Sequence, residues 1–470
     1  MLSRGNRNHA LYVSQIAANS LVGYLFARLL AYQFGTSAQK DGFDIAYSVP
    51  FIVLNLSGLA YIHSVVMTQF ARMLATKSPD INSVFSVVLT WMTSVAIVLM
   101  IVAALFSESL TVLLAPGLSP AVRAETQHLL LLMLPLALTL GIGTFIGAIL
   151  TAHEVPITGE FCQIISRVAV IGFIVCSRFQ FDLLSTAVGL VVASGVGLVI
   201  QWWILHTKTN IRFHVRYVSV QPEFLIILKQ GSGFLACAIA AQIAMAYMRR
   251  LAILDGVGTN AALSYALAVV TPLSLIIGKP LALRIGPRYA SLAANKMWND
   301  ARQILVQSGA ACLLVSLPIC ILTTQFAVPI VRLLFGGGQF DTHSITVTAS
   351  LCAYIAWALP ASLLLWVIVM PTLSTRNSSL PGAILTIGHL VHIALSALLF
   401  GPFGKFGIAA AYVTAINLQA LLGTGFLIYE WQRASRKSRP TDDWDEVAGL
   451  TMRRIPLTTK PSQRKIPAAS

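Results

Sequence analysis

Asp41 and Asp44 lie in residues 34–50, Phe-Gly-Thr-Ser-Ala-Gln-Lys-Asp-Gly-Phe-Asp-Ile-Ala-Tyr-Ser-Val-Pro, which join the first two long apolar runs of the chain. A carboxylate at the lip of a membrane segment is costly to keep, so function is its default reading. The bland alternative is a loop that needs polar residues to turn. It weighs most for Lys40 and Asp41, whereas Asp44 runs straight into an apolar segment and argues for function. Cations occupy similar places: Arg28, Arg167 and Lys279 within apolar runs, Arg249 and Arg250 at the end of one. A charge at mid-span costs about 2.5–3.5 kcal/mol on insertion scales, so it should face a wet cavity or a partner. Cations in a cavity suit an anionic substrate, and arginine suits phosphate because its planar fork pairs with two oxygens. For Arg249 and Arg250 the competing account is snorkelling to the membrane interface. His63, His389 and His392 also fall within runs and read as neutral packing groups.

Bond-making chemistry finds little support. No His-Glu-x-x-His, nucleotide-binding Gly-rich loop or pair of carboxylates at catalytic spacing occurs. The joins between apolar runs are too short for a soluble catalytic lobe. The chain therefore reads as a non-enzyme without metal or cofactor. The six cysteines sit within or beside apolar runs and form no Cys-x-x-Cys pair, which suits small buried thiols. A net charge of +15 raises nucleic acid as a partner, but no basic stripe interleaved with aromatics appears.

The elements that must hold these charges are membrane helices. Hydrophobic residues make up 56% of the chain and charged ones 10%, far below the roughly 25% charged share of a soluble domain. Apolar runs of bilayer length recur from end to end. Twelve spans are expected near 10–34, 43–74, 82–107, 126–152, 157–177, 184–206, 224–249, 260–286, 301–323, 343–371, 380–399 and 406–430. The second and tenth are long, and Pro50 and Pro360 stand where a kink belongs. Lys and Arg crowd the alternate joins that share a side with the two termini, which predicts both termini in the cytoplasm. Residues 34–50 then face outward. The polar join 207–221 follows six spans and precedes six, dividing the chain into lobes 1–206 and 222–430. Gly35 to Pro50 loosely echoes Gly258 to Pro272, as a repeat would. Gly143 and Gly147 form a Gly-x-x-x-Gly packing face in the fourth span. Residues 329–341 predict a short amphipathic helix and a glycine loop, and the basic segment 431–470 a disordered cytoplasmic tail drawn to anionic lipid.

Three stretches carry a resemblance. Phe34-Gly35 followed by Asp41-Gly42-Phe43-x-x-Ala46-Tyr47-x-x-Pro50 resembles the outer end of the first two helices of the MurJ/MviN family. Leu334-Phe335-x-x-Gly338-x-Phe340-Asp341 resembles that family's signature before the tenth span, and Tyr265-Ala266 with the 278–287 region resembles its eighth helix. The resemblance spans roughly residues 10–430. It implies a flippase of the multidrug/oligosaccharidyl-lipid/polysaccharide exporter superfamily. Such a protein moves lipid II, an undecaprenyl-pyrophosphate-linked precursor, by alternating access between two lobes. The family's cavity arginines match Ser20, Phe26, Leu54 and Ala268 here, and its Glu-Gly-Ala-Phe run reads Leu59-Ala60-Tyr61-Ile62; Asp41 is retained.

The expected fold is thus an all-α polytopic membrane protein of the bacterial inner membrane. About twelve transmembrane helices form two pseudo-symmetric six-helix lobes around a central cavity. The expected activity is translocation of an undecaprenyl-diphosphate-linked oligosaccharide, of the exopolysaccharide repeat type. Candidate substrate-binding residues are Arg28, Asp41, Asp44, Arg249, Arg250 and Lys279. The expected partners are that lipid-linked glycan, anionic lipid at the tail and polysaccharide-assembly proteins, with no nucleic acid. The rival readings are lipid II flipping, cation-coupled drug export and an inactive scaffold in a polysaccharide assembly complex.

Overall fold

Within lipid a helix pairs every backbone N–H and C=O inside its own segment, and the apolar runs take that solution throughout. The computed structural model describes residues 4–58, 70, 73–74, 81–153, 155, 161–177, 181–217, 222–295, 297–374 and 379–437. Among them there are helices and no strands. The first lobe holds α1 (Arg4–Phe34), α2 (Ala38–Leu56), α3 (Ile81–Leu105), α4 (Ser107–Leu114), α5 (Pro120–Met133), α6 (Leu136–Ala152), α7 (Phe161–Cys176) and α8 (Leu183–Lys208). The second holds α9 (Pro222–Asp255), α10 (Thr259–Ala294), α11 (Trp298–Gln325), α12 (Ala327–Phe335), α13 (Thr342–Ile355), α14 (Leu359–Ser374) and α15 (Ser379–Lys437).

Eleven of the twelve expected spans fall on one or two of these helices, and the second, 43–74, begins on α2 and runs on outside the described residues. The fourth is α5 and α6 in line across Leu134 and Pro135; the tenth is α13 and α14 joined by a 3-10 turn at Ala356–Ala358, just before Pro360. The second breaks later than Pro50. Helix α2 continues through that proline and ends at Ser57, and Gly58 takes a φ of 79°. Leu59 to Ile62 and His63 lie outside the described residues. The eleventh and twelfth spans are the two arms of α15, which breaks at Gly404 (φ 52°). The arms run antiparallel, since Gln419 Nε2 donates to the Leu385 carbonyl and the His392 ring lies 5.6 Å from that of Tyr412. The last arm stays helical to Lys437, beyond the expected tail boundary. The remainder of the tail, 438–470, lies outside the described residues.

The buried apolar residues gather into two hydrophobic clusters. One is built mainly from residues of α1 to α8, with Ile253 of α9, and the other mainly from α9 to α15, with Ala31 of α1. The two halves also repeat. Helices α4 and α12 follow the third and ninth spans, each entered through a phenylalanine (Phe106, Phe326) in the same backbone conformation. Gly35, three residues before α2, and Gly258, directly before α10, both adopt positive φ, 53° and 84°. A side chain at Gly258 would strike the Thr36 carbonyl of the other lobe, so close approach and left-handed backbone both demand glycine. Gly143 serves packing as expected: a Cβ there would meet Cys162 of α7 and Gln201 of α8.

The join between lobes is an ordered strap. After α8, residues 209–217 run extended along α3. The backbone N–H groups of Arg212, His214 and Arg216 donate to Asn82 Oδ1, Ser86 Oγ and Thr90 Oγ1 at 3.0, 3.1 and 3.3 Å. Ile211 is buried, and Phe213 meets Phe85 and Trp202 edge to face. Replacing Ser86 and Thr90 by Val removes two acceptors worth about 1 kcal/mol each. The expected result is several-fold faster tryptic cleavage after Arg212 and Arg216, read by gel in detergent; unchanged cleavage would mean that apolar packing alone holds the strap.

Candidate functional site

The site grows from the first turn of α2. Ser37 caps that helix, its hydroxyl accepting from the Lys40 N–H at 3.3 Å. The cap fixes where Lys40, Asp41 and Asp44 point. Lys40 and Asp44, one turn apart, form a buried ion pair at 2.5 Å. The Lys40 ammonium also sits 4.9 Å from the centre of the Tyr265 ring of α10, a cation–π contact across the lobes.

Asp41 points the other way. It is fully buried, and its two carboxylate oxygens accept from the backbone N–H groups of Gly258 (2.6 Å) and Ala261 (2.7 Å) at the start of α10. Those N–H groups have no partner inside their own helix, and the helix dipole adds attraction for an anion. A carboxylate of one lobe thus caps a helix of the other. Asn260 closes the ring by donating to the Asp41 carbonyl at 3.3 Å.

Further contacts seal the same end. The Tyr265 hydroxyl donates to the Gly35 carbonyl (3.2 Å), the Thr36 and Ser344 hydroxyls pair (2.8 Å), and the Gln339 N–H donates to the Tyr32 carbonyl (2.8 Å). Asp341, in the turn beside them, caps α13; the Ser344 backbone N–H on its carboxylate holds it below the usual carboxylate range. Two arginines act as reciprocal clasps. Arg28 of α1 donates to the Leu333 carbonyl near the C-terminus of α12 (3.0 Å), and Arg250 of α9 donates to the Leu113 carbonyl near the C-terminus of α4 (2.6 Å). A cation at the last carbonyls of a helix is favoured by the dipole.

Beneath this seam lies a cavity of about 360 Å³ between the lobes. Its charged lining is Lys40, Arg167 and Arg249 with Asp44 as the single carboxylate. Arg249, from α9, donates to Ser264 Oγ (2.9 Å) and Asn260 Oδ1 (3.3 Å), and so touches the ring around Asp41. Arg167, from α7, donates to Asn19 Oδ1 at 3.1 Å. Phe26 and Ala268, two of the positions where the family pattern has arginine, line the cavity as apolar groups, and Tyr47 and Phe51 add aromatic faces. Among the described residues the second oxygen of Asp44 has no hydrogen-bond partner. Three cations against one anion, with aromatic walls, can hold a phosphate-bearing head with sugars beside it.

Of the six candidate residues, Asp44 and Arg249 line this cavity. Asp41 belongs to the seam above it. Arg28 is exposed on α1 and clasps α12, so it neither faces the cavity nor pairs with Asp44, whose partner is Lys40. Arg250 is the matching clasp, and Lys279 lies on α10 away from the cavity lining. Lys40 and Arg167 are site cations outside the six candidates, although Arg167 was already marked as a charge within an apolar run. The i, i+4 spacing of Lys40 and Asp44, and the isolation of Arg167 in an apolar run, were the available signals.

The family model described as lipid II flippase MurJ matches residues 30–448. A curated relative, a probable lipid II flippase MurJ of Rhizobium meliloti, is 22% identical over 423 residues, 88% of this chain and 79% of the relative. A solved lipid II flippase MurJ in an inward closed conformation superposes with a TM-score of 0.70 at 19% identity, covering 90% of each chain. An inward-facing MATE family transporter of the MOP superfamily superposes at 0.69 with 12% identity, covering 92% of this chain and 96% of that one.

Proposed function

Because the chain belongs to the lipid II flippase MurJ family, we propose that it flips an undecaprenyl-diphosphate-linked oligosaccharide of the exopolysaccharide repeat type from the inner to the outer leaflet of the bacterial inner membrane. The observation that carries this reading is the cavity's set of cations. Lys40, Arg167 and Arg249 line it, whereas the matched arginine positions Phe26 and Ala268 are apolar. The demand for cations beside a diphosphate is met, but from other helices, so the head sits differently from one held by the family's own arginines. The free oxygen of Asp44 offers an acceptor to a sugar hydroxyl.

The cation asymmetry of the joins supports cytoplasmic termini, which makes the Asp41 seam the outer gate. With the gate shut, the head enters from the inner leaflet while the lipid tail stays in the bilayer. Loss of the Asp41 cap then lets the lobes part on the outside. No bond is made or broken. The basic segment 431–470 would meet anionic lipid, and polysaccharide-assembly proteins would supply and receive the glycan.

Lipid II itself is the second reading, favoured by the retention of Asp41 and by the extent of the family match. Expression in a strain depleted of its lipid II flippase separates the two. No rescue of growth, with the protein present in the membrane, is the expected result. Full rescue would move the substrate to lipid II.

A further inference from the structure

A second cleft lies at the other end of α10. Arg284 and Arg288, one helical turn apart, border a cavity of about 210 Å³ whose opposite wall on α11 carries Gln307 and Ser308. Leu281 and Ile304 supply apolar surface within it. Among the described residues neither guanidinium has a hydrogen-bond or ion-pair partner. Two exposed arginines one turn apart repel each other, and an anion held between them would relieve that repulsion. Each fork can give two parallel hydrogen bonds to phosphate oxygens, and Gln307 and Ser308 add neutral donors from across the cleft.

Depth identifies where the anion comes from. Helix α10 starts at Thr259, under the Asp41 seam. At 1.5 Å per residue, Arg284 and Arg288 lie about 37 and 43 Å along it. The hydrocarbon core is about 30 Å thick, so both guanidiniums stand in the headgroup layer of the leaflet opposite the seam. A basic pocket between helices at that level is suited to lipid headgroups.

We propose that this cleft is a binding site for the phosphate headgroup of an anionic phospholipid, held between α10 and α11 outside the transport cavity. Arg284 and Arg288 grip the phosphate, Gln307 and Ser308 contact its free oxygens or the glycerol, and Leu281 and Ile304 pack against the start of the acyl chains. The site acts as a lipid anchor for the second lobe at its inner end. It does not depend on which glycan is flipped.

The test is lipid binding by the full chain in nanodiscs of phosphatidylcholine with or without phosphatidylglycerol, read by native mass spectrometry and by thermal stability. Phosphatidylglycerol should be retained by the native protein and raise its melting temperature. The R284Q/R288Q variant should lose that preference by about tenfold or more, as expected for the loss of two charge-assisted contacts. R284K/R288K keeps the charge without the forks and should fall between. Equal retention by native and R284Q/R288Q protein overturns the proposal, as does native-level retention by the lysine variant if the glutamine variant fails to fold. Inorganic phosphate alone is the remaining arm. Stabilisation by it equal to that by phosphatidylglycerol would assign the cleft to a free anion and overturn the lipid.

Discussion

Asp41→Ala is expected to cut glycan export by about tenfold or more while the protein remains folded and present. The carboxylate caps α10 through two hydrogen bonds and contributes nothing to either lobe's own core. Hydrogen bonds to a charged group contribute about 1.5–3 kcal/mol each, and every 1.4 kcal/mol is a tenfold shift in a two-state equilibrium. Removing the carboxylate therefore depopulates the sealed state and leaves the Gly258 and Ala261 N–H groups unpaired. Asp41→Asn keeps one acceptor oxygen and should be intermediate. The gate itself can be read with Thr36→Cys in a background without the native cysteines, since Thr36 meets Ser344 across the seam. An impermeant thiol reagent should label it faster in Asp41→Ala than in the parent. Normal export with unchanged labelling would reduce Asp41 to a loop residue.

The second large effect concerns the cavity. Arg249→Ala should lower transport per folded molecule by about tenfold, because a desolvated arginine–phosphate contact is charge-assisted and often bidentate. Arg249→Lys keeps the charge and loses the fork, so it should retain part of the activity. Arg28→Ala is the informative contrast. Its guanidinium clasps a helix end away from the cavity, so transport per folded molecule should stay near the native value. If Arg28→Ala is the more damaging of the two, the head does not sit where Lys40, Arg167 and Arg249 converge. Transport is measured as glycan delivered to the outer leaflet, normalised to protein extracted and monodisperse in detergent.

These two residues also mark what a sequence can and cannot tell. The helical spans and the short helix before Gly336 were legible because hydrophobic length and turn chemistry are written locally. The charge of Asp44 and Arg249 was legible because each stands out in an apolar setting. Arg28 stands out equally, yet the chain encodes depth along a helix far more plainly than the face on which a side chain lies. Arg28 is six residues from the end of α1, about 9 Å, close enough for its long stem to reach the interface and a neighbouring carbonyl. The partners of Asp41 are backbone N–H groups of Gly258 and Ala261, more than two hundred positions away. No residue type announces an N–H group, so only the fold could supply them. Lys40 was hidden for another reason: beside a turn, a lysine reads as solvent-facing, and its burial depends on Tyr265 of the opposite lobe.

The strap along α3 works as a vernier. Four residues of helix advance about 6.0 Å, and two residues of strand about 6.6 Å. Asn82, Ser86 and Thr90 therefore stay nearly in step with the N–H groups of Arg212, His214 and Arg216, falling about 1.2 Å behind over the three rungs. The next graduation, Ser94, pairs with the Tyr217 hydroxyl at 3.4 Å. The scale sets the chain's parity. One residue added between α8 and Arg212 would turn Ile211 and Phe213 outward, whereas two would restore their faces one graduation along. The distance that the chain can pay out between the lobes is thus quantised in pairs of residues.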